Sequence, residues 1–174
     1  MEEIQIGKVA FRHSVIHGMG GFARKDIRTG TRIIEYVGEQ MDKKEAQRRC
    51  EDGNVFVFEI NDDFDIDGSV DWNPARWLNH SCAANAETDV VNDRVWIVAK
   101  RDIRAGEEIV YNYNFDLDEF EDYPCRCGAD HCVGYMVHED HWPLVRQRHP
   151  RSVPLTNERN AGGAPEVRAS AVNV

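Results

Sequence analysis

Apolar residues recur along the chain in short runs, most of them alternating with polar ones. That period-two pattern marks half-buried strands, because successive side chains of a pleated chain point to opposite faces. A turn at Thr29-Gly30 is followed by "TRIIEYV", which predicts a strand from about Thr31 to Val37, ended by Gly38. "NVFVFEI" is β-branched and aromatic and predicts a second. "DFDIDGS" alternates and ends in a turn signal, "RVWIVAKRDI" runs into the turn "RAGEE", and "EIVYNYNF" alternates again behind it. One segment breaks the pattern. "MDKKEAQRRCED" predicts a short, polar helix with Asp42 as N-cap and Glu45 three positions on, a capping-box spacing. From about Leu144 onward periodicity disappears among Arg, Pro, Asn, Gly and Ala, which predicts a flexible tail over 144–174. No internal repeat is present. The pattern indicates a mainly β domain with few short helices.

Composition narrows the function classes. The 174 residues suit one domain, and 41% hydrophobic with 30% charged is ordinary for a soluble chain. Acidic residues outnumber basic ones 31 to 21, for a formal charge of -10. That balance argues against direct nucleic-acid binding, which uses a basic face, and favours a basic protein or peptide partner. The N-terminus "MEEIQIGKV" carries no secretory signal, and no run approaches the ~20 apolar residues of a membrane span. The expectation is a non-secreted monomer without a membrane anchor: cytoplasmic if bacterial, nuclear or cytoplasmic if eukaryotic.

Five cysteines stand at positions 50, 82, 125, 127 and 132. An odd count without a signal sequence disfavours a disulfide framework. Three fall in "CRCGADHC", where Gly128 relaxes the loop and the thiols can wrap one side of a tetrahedral metal ion. A closed zinc site needs a fourth ligand, and His131, His138, His141 and Cys82 are the alternatives.

Three other stretches could carry chemistry. In "SVIHGMGGFARKDI", Gly18, Gly20 and Gly21 permit either a tight turn between strands or close approach of backbone to a ligand; the spacing is not that of a dinucleotide fingerprint. Tyr111 and Tyr113, two apart on a predicted strand, share a face while Asn112 points away. Paired phenols serve most often as an aromatic cluster and sometimes line a polar pocket. In "RWLNHSC" an amide, an imidazole, a hydroxyl and a thiol follow Trp77-Leu78. If buried, each polar group needs a partner, since an unpaired one costs roughly 1–3 kcal/mol. No G-x-S-x-G elbow surrounds Ser81, so a Ser-His nucleophile is disfavoured.

In this order, "HGMGGFA", "EYVGE", "DIDGSVDWNPARWLNHSCAAN", "GEEIVYNY" and "CRCGADHCVG" resemble the SET-domain protein-lysine methyltransferases with a post-SET zinc segment. The trithorax-like branch is nearest, on "FVFEINDDFDID" and its distance to "ARWLNHSC". The resemblance implies a SET domain over 9–116 and a post-SET zinc segment over 121–137. It implies small sheets with a C-terminal pseudoknot, in which the N-H-S-C segment is threaded beneath the loop of the catalytic tyrosine. It implies S-adenosylmethionine held near His17, Gly18, Met19, Gly20, Asn79, His80, Tyr113 and Arg126. Zinc would be held by Cys82, Cys125, Cys127 and Cys132, in a loop with too few apolar residues to order itself by burial alone. Tyr113 takes the place of the catalytic tyrosine, and Tyr111 the place where tyrosine or phenylalanine sets how many methyl groups are added. The implied activity is mainly mono- or dimethylation of lysine in a histone or another basic protein; the alternative is a non-catalytic SET-like zinc module that binds a peptide. Four positions depart from the pattern. Ala84 stands for a common proline, Met19 for a basic or aromatic residue, Trp77 for Phe or Tyr, and Phe56 for an active-site tyrosine.

Overall fold

In the computed structural model, which describes residues 3–149, three small sheets carry the chain and two short helices flank them. The N-terminal meander is β1 (Ile4–Ile6), β2 (Val9–His13) and β3 (Met19–Ala23). Then come β4 (Arg32–Tyr36), β5 (Glu39–Asp42), α1 (Lys43–Glu51), β6 (Val57–Glu59) and β7 (Phe64–Asp67). The second half supplies β8 (Asn79–His80), β9 (Ala86–Val91), β10 (Arg94–Ala99), β11 (Glu108–Tyr111) and α2 (Trp142–Arg148). The sheet orders are β1-β2-β3-β11-β8, β4-β10-β9 and β5-β7-β6. The mainly β architecture with few short helices matches the sequence expectation.

Each element has a local cause. Asp42 caps α1, its side chain accepting from the Glu45 amide at 2.8 Å. The reciprocal half of a capping box does not form, because Glu45 turns to Arg48 and Arg49. The β9–β10 hairpin closes through Asn92 and Asp93, with φ of 51° and 57°. Positive φ at both central residues gives the turn a twist that suits an antiparallel pair.

Predicted strands end early where side chains claim the backbone. "NVFVFEI" forms a strand only at Val57–Glu59, since Asn54 Oδ1 takes the Phe56 amide and the Phe56 carbonyl accepts from the Gly68 amide and the Tyr36 hydroxyl. Likewise "EIVYNYNF" leaves its sheet after Tyr111, where the Asn112 carboxamide bonds Val137 O and the Asn114 amide and Asn114 adopts a φ of 57°.

The main core joins the first two sheets through Phe11, Tyr36, Leu78, Ile97, Ile103 and Ile109, each at most 1% exposed, and Phe58 and Ile66 of the third sheet pack against it. A second cluster gathers Phe120, Val133, Val137 and Val145 with Cys82, Cys125 and Cys132. Residues 121–137 pack in this cluster together with Phe120 and Val145 from outside the cysteine loop. One expectation needs correcting here: periodic structure does not stop at Leu144, since α2 continues to Arg148, with Val145 fully buried. The rest of the expected tail, from 150, lies outside the described residues.

Candidate active site

β11 runs between β3 and β8, and its pairing with β8 is parallel, Val110 opposite Asn79 and Tyr111 opposite His80. Two segments far apart in sequence are thereby laced side by side. The lacing satisfies the buried polar run. Tyr113 donates its hydroxyl to Leu78 O at 2.9 Å and its amide to His80 Nδ1 at 3.2 Å. The Ser81 amide bonds Tyr111 O, and Ser81 Oγ accepts from the Ala83 amide, with no imidazole bonded to it among the described residues. Asn85 donates to Glu107 Oε1 and Glu108 O and accepts from the Val110 amide. Of the apolar pair ahead of these residues, only Leu78 is buried; Trp77 is 41% exposed beneath the Arg76 guanidinium.

Asn79 is a brace. Its amide nitrogen lies 3.1 Å from His17 O, 3.0 Å from Met19 O and 2.8 Å from Glu108 Oε1. The glycine-rich stretch splits into two settings. The turn is at 14–18, with Ser14 N on Gly18 O and Gly18 at φ 43°. Gly20 and Gly21 lie in β3, where a Cβ on Gly20 would strike Glu108 Oε1 and lie 2.8 Å from Ser14 Cβ. Glycine there admits the protein's own side chains. Arg126 is exposed between two cysteines, and no hydrogen bond joins it to the 17–20 or 79–80 segments among the described residues.

His80 accepts at Nδ1, so its proton lies on Nε2, which faces Cys82 Sγ at 3.7 Å. Burial lowers its pKa to about 4 and keeps the ring neutral. Its imidazole is therefore committed to internal bonds.

The phenols form the other wall. Tyr111 and Tyr113 have ring centroids 5.0 Å apart, as the shared strand face predicts. The aromatic series continues through Phe58, 6.2 Å from Tyr111, to Tyr36, 4.5 Å further on. In the other direction Phe115 follows Tyr113 at 6.3 Å and stacks on Tyr123 at 3.7 Å. Sequence reasoning missed Tyr36, Phe58, Phe115 and Tyr123. The signal for Tyr36 was Gly68, a residue whose Cβ would collide with the Tyr36 ring. Phe56 contributes its carbonyl to Tyr36 and is half-buried. Burial, with a smaller contribution from Glu108, pushes Tyr113 up to about 12, and burial raises Tyr111 well above the ordinary phenol range. Both are neutral phenols at pH 7 and cannot act as bases.

The thiols of Cys82, Cys125, Cys127 and Cys132 lie within 4.8 Å of one another. Cys82 Sγ is 3.8 Å from Cys125 Sγ, and two ligands of a tetrahedral zinc ion with bonds of about 2.3 Å stand about 3.8 Å apart. Amides of Cys82, Cys127 and Gly134 point at the sulfurs of Cys127, Cys125 and Cys132, each at 3.4 Å. Hydrogen bonds with Cys125 lower Cys127 and Cys132, and the same cluster raises Cys82 and Cys125, so the four thiols share their protons. Among the candidates for a fourth ligand, the geometry brings Cys82 to the other three. His131 is engaged on Cys82 O and His138 on the Asp140 amide, and His141 is not among the clustered ligand atoms.

Residues 18–114 match the SET domain family. The chain belongs to the SET-domain family. The matched span runs from the glycine turn to the residue after Tyr113, so the sites built by Asn79, His80, Tyr111 and Tyr113 lie inside the SET domain and the three clustered cysteines beyond Tyr123 lie outside it. Similar proteins include human "Histone-lysine N-methyltransferase 2D", 38% identical over 138 residues, and Drosophila melanogaster "Histone-lysine N-methyltransferase trr", 37% identical over 138. Each alignment covers 74% of this chain, but only 2% and 6% of those long relatives. "Histone-lysine N-methyltransferase, H3 lysine-4 specific" of Schizosaccharomyces pombe is 36% identical over 136 residues, 72% of this chain and 15% of its own length. Other relatives are named trithorax, in keeping with the branch the motifs indicated. Among the described residues, no helix is long and apolar enough to cross a membrane.

Proposed function

We propose that this SET domain transfers methyl groups from S-adenosylmethionine to the side-chain amine of lysine in a basic protein, a histone being the first candidate from its relatives' names. The observation that carries the reading is Tyr113, a neutral phenol just past β11 fixed on the carbonyl of Leu78, the residue before the Asn79 that braces the turn at 14–18. The donor supplies an electrophilic methyl group. The chain's part is to orient and desolvate. Lysine has an ordinary pKa near 10.4, so the attacking amine must be held in its neutral form by exclusion of water. The aromatic wall of Tyr36, Phe58, Tyr111 and Tyr113 provides a dry surface for the amine, and the Tyr113 oxygen keeps lone pairs directed at it. The backbone at 17–20, Asn79, the main chain at His80 and Arg126 would hold the donor.

The four cysteines fit a structural zinc ion in number, spacing and amide-to-sulfur bonds. Zinc there would fasten the segment after Tyr113 to the Cys82 end of the buried polar run. Tyr111 leaves limited room beside the amine, so the product is mainly mono- or dimethyllysine, with the Phe56 substitution acting in the opposite direction.

Incubation with isotopically labelled S-adenosylmethionine and core histones or a lysine-rich protein library, read by mass spectrometry, tests the reading. Label on lysine is the expected result. Donor binding without any transfer across the library would support the peptide-binding module instead.

A further inference from the structure

We propose that Glu108 is the positioning residue of the methyl-donor site, and that its carboxylate favours the sulfonium donor over the neutral thioether product. The inference rests on the S-adenosylmethionine reading above and concerns a residue with no role in it.

Glu107 and Glu108 are adjacent but differently used. Glu107 pairs with the Arg101 guanidinium and lies at the surface end of the strand. Glu108 turns inward and is held only by neutral donors. Ser14 Oγ lies 2.7 and 2.9 Å from its two oxygens, and Asn79 Nδ2 lies 2.8 Å from Oε1. Among the described residues no Lys, Arg or His pairs with it. Its charge is therefore balanced by dipoles of the Ser14 hydroxyl and the Asn79 carboxamide and by no cation.

Its partners lead straight to the donor loop. The amide nitrogen of Asn79 that meets Glu108 also meets His17 O and Met19 O. Ser14 Oγ accepts from the Ile16 amide at 2.9 Å, and the Ser14 amide closes the turn on Gly18 O. Glu108 therefore ties β8, β11 and the 14–19 turn together. Gly20 leaves space for it, since a Cβ there would occupy the carboxylate's position. On the other side its field reaches the Tyr113 phenol, which it helps to push up.

S-adenosylmethionine and S-adenosylhomocysteine share an adenosine and an amino-acid portion; the donor carries one more positive charge, on sulfur. A fixed negative charge behind the binding turn acts on the net-neutral amino-acid portion of both compounds alike and on the sulfonium of the donor alone, so it changes their ratio. It would help the product leave once the methyl group has gone.

Calorimetric titration of the ligand-free protein with each compound tests this. Glu108→Gln keeps shape and loses charge. Affinity for S-adenosylmethionine should fall about tenfold while that for S-adenosylhomocysteine stays within about twofold. Ser14→Ala keeps the charge and loosens the turn. It should weaken both compounds by the same factor and raise amide hydrogen exchange over 15–19, leaving 94–99 protected. Glu108→Asp should retain the wild-type preference. Equal weakening of both compounds in Glu108→Gln, or loss of the preference in Ser14→Ala or Glu108→Asp, overturns the proposal. If Glu108→Gln loses its cooperative melt, the ratios in the other two variants decide by the same criteria. Wild-type protein that binds neither compound overturns the donor reading itself; wild-type binding with an unchanged ratio in Glu108→Gln overturns only the role of Glu108.

Discussion

Tyr113 joins two functions in one oxygen. Its hydroxyl proton is committed to Leu78 O, and in the proposed reaction its lone pairs would serve the lysine amine. Tyr113→Phe removes one atom from a well-packed ring. It should cost about 1 kcal/mol of stability, from the carbonyl left unpaired, and lower turnover by at least about tenfold. The pH dependence separates its role from that of a base. With its pKa pushed up to about 12, Tyr113 stays protonated throughout the working range. Turnover should therefore rise with pH as the lysine amine loses its proton, and the residual activity of Tyr113→Phe should keep the same apparent pKa. An ascending limb that vanishes with Tyr113 would make it the base and contradict this account. At Tyr111, deleting the hydroxyl by Tyr111→Phe enlarges the room beside the amine, so products should move toward trimethyllysine, read by mass spectrometry at long incubation. Dominant trimethyllysine from the wild type would refute the assignment. Legibility at this scale was uneven. The closeness of Tyr111 and Tyr113 was expected from strand period, although β11 ends at Tyr111 and Tyr113 lies past it, whereas the glycines at 20 and 68 named neither neighbour. A glycine in sequence does not reveal which neighbour it makes room for, and here the neighbours are Glu108 and Tyr36.

α1 illustrates how an element with little apolar surface is held. Ala46 is its one buried residue, so packing contributes little and polar contacts must fix it. Arg49 bonds Glu39, Glu45 and the buried Asp67, and Asp67 also accepts from the Asn54 side chain and the Ser69 amide. The same carboxylate thus anchors the helix and the entry to β6, the strand that brings Phe58 to Tyr111. Burial alone would raise the pKa of Asp67; hydrogen bonds from Asn54, Ser69 and Arg49 outweigh it and hold it at about 2. The folded value lies below the unfolded one. The stabilisation is therefore complete above the ordinary Asp range, near 3.8, and is lost as pH falls toward 2. It is roughly 2 kcal/mol. Urea unfolding between pH 6 and 2 should show this loss, and Asp67→Asn should flatten that part of the curve. An unaltered acid limb in Asp67→Asn would remove Asp67 from the explanation. The helix itself was readable from Asp42 and Glu45, but the Arg49–Asp67 tie was not, since it joins positions in different elements. β9 was missed for the opposite reason: as an edge strand it buries only Ala86, so its sequence "AETDVV" lacks the apolar alternation that marks a half-buried strand.

For the whole molecule, the decisive arrangement is that two cores meet at one thiol. Cys82 belongs to the second cluster, yet it lies two residues beyond His80 and so ends the buried run of the first. Asn112 on Val137 O, and the mutual backbone bonds of Phe115 with Met136 and His138, continue the seam. Three of the four clustered cysteines were legible from local spacing, and Cys82, 43 residues ahead of Cys125, came from the family resemblance alone; the apolar packing around them draws on Phe120 and Val145, which no local pattern linked. That packing changes what metal removal should do. With apolar cover from Phe120, Val137 and Val145, the metal-free segment should stay collapsed against the core but lose its fixed register, instead of unfolding outright. Chelation of the zinc-loaded protein should abolish turnover and raise hydrogen exchange over 115–137. The strands β4, β9 and β10, which share none of the seam, should keep their protection. Cys82→Ser should reproduce the loss of turnover at ordinary zinc concentrations and be partly rescued by excess zinc, since three thiolates remain. Elemental analysis finding no zinc in the reduced wild-type protein, or full activity after chelation, would mean that the second core closes the site without metal.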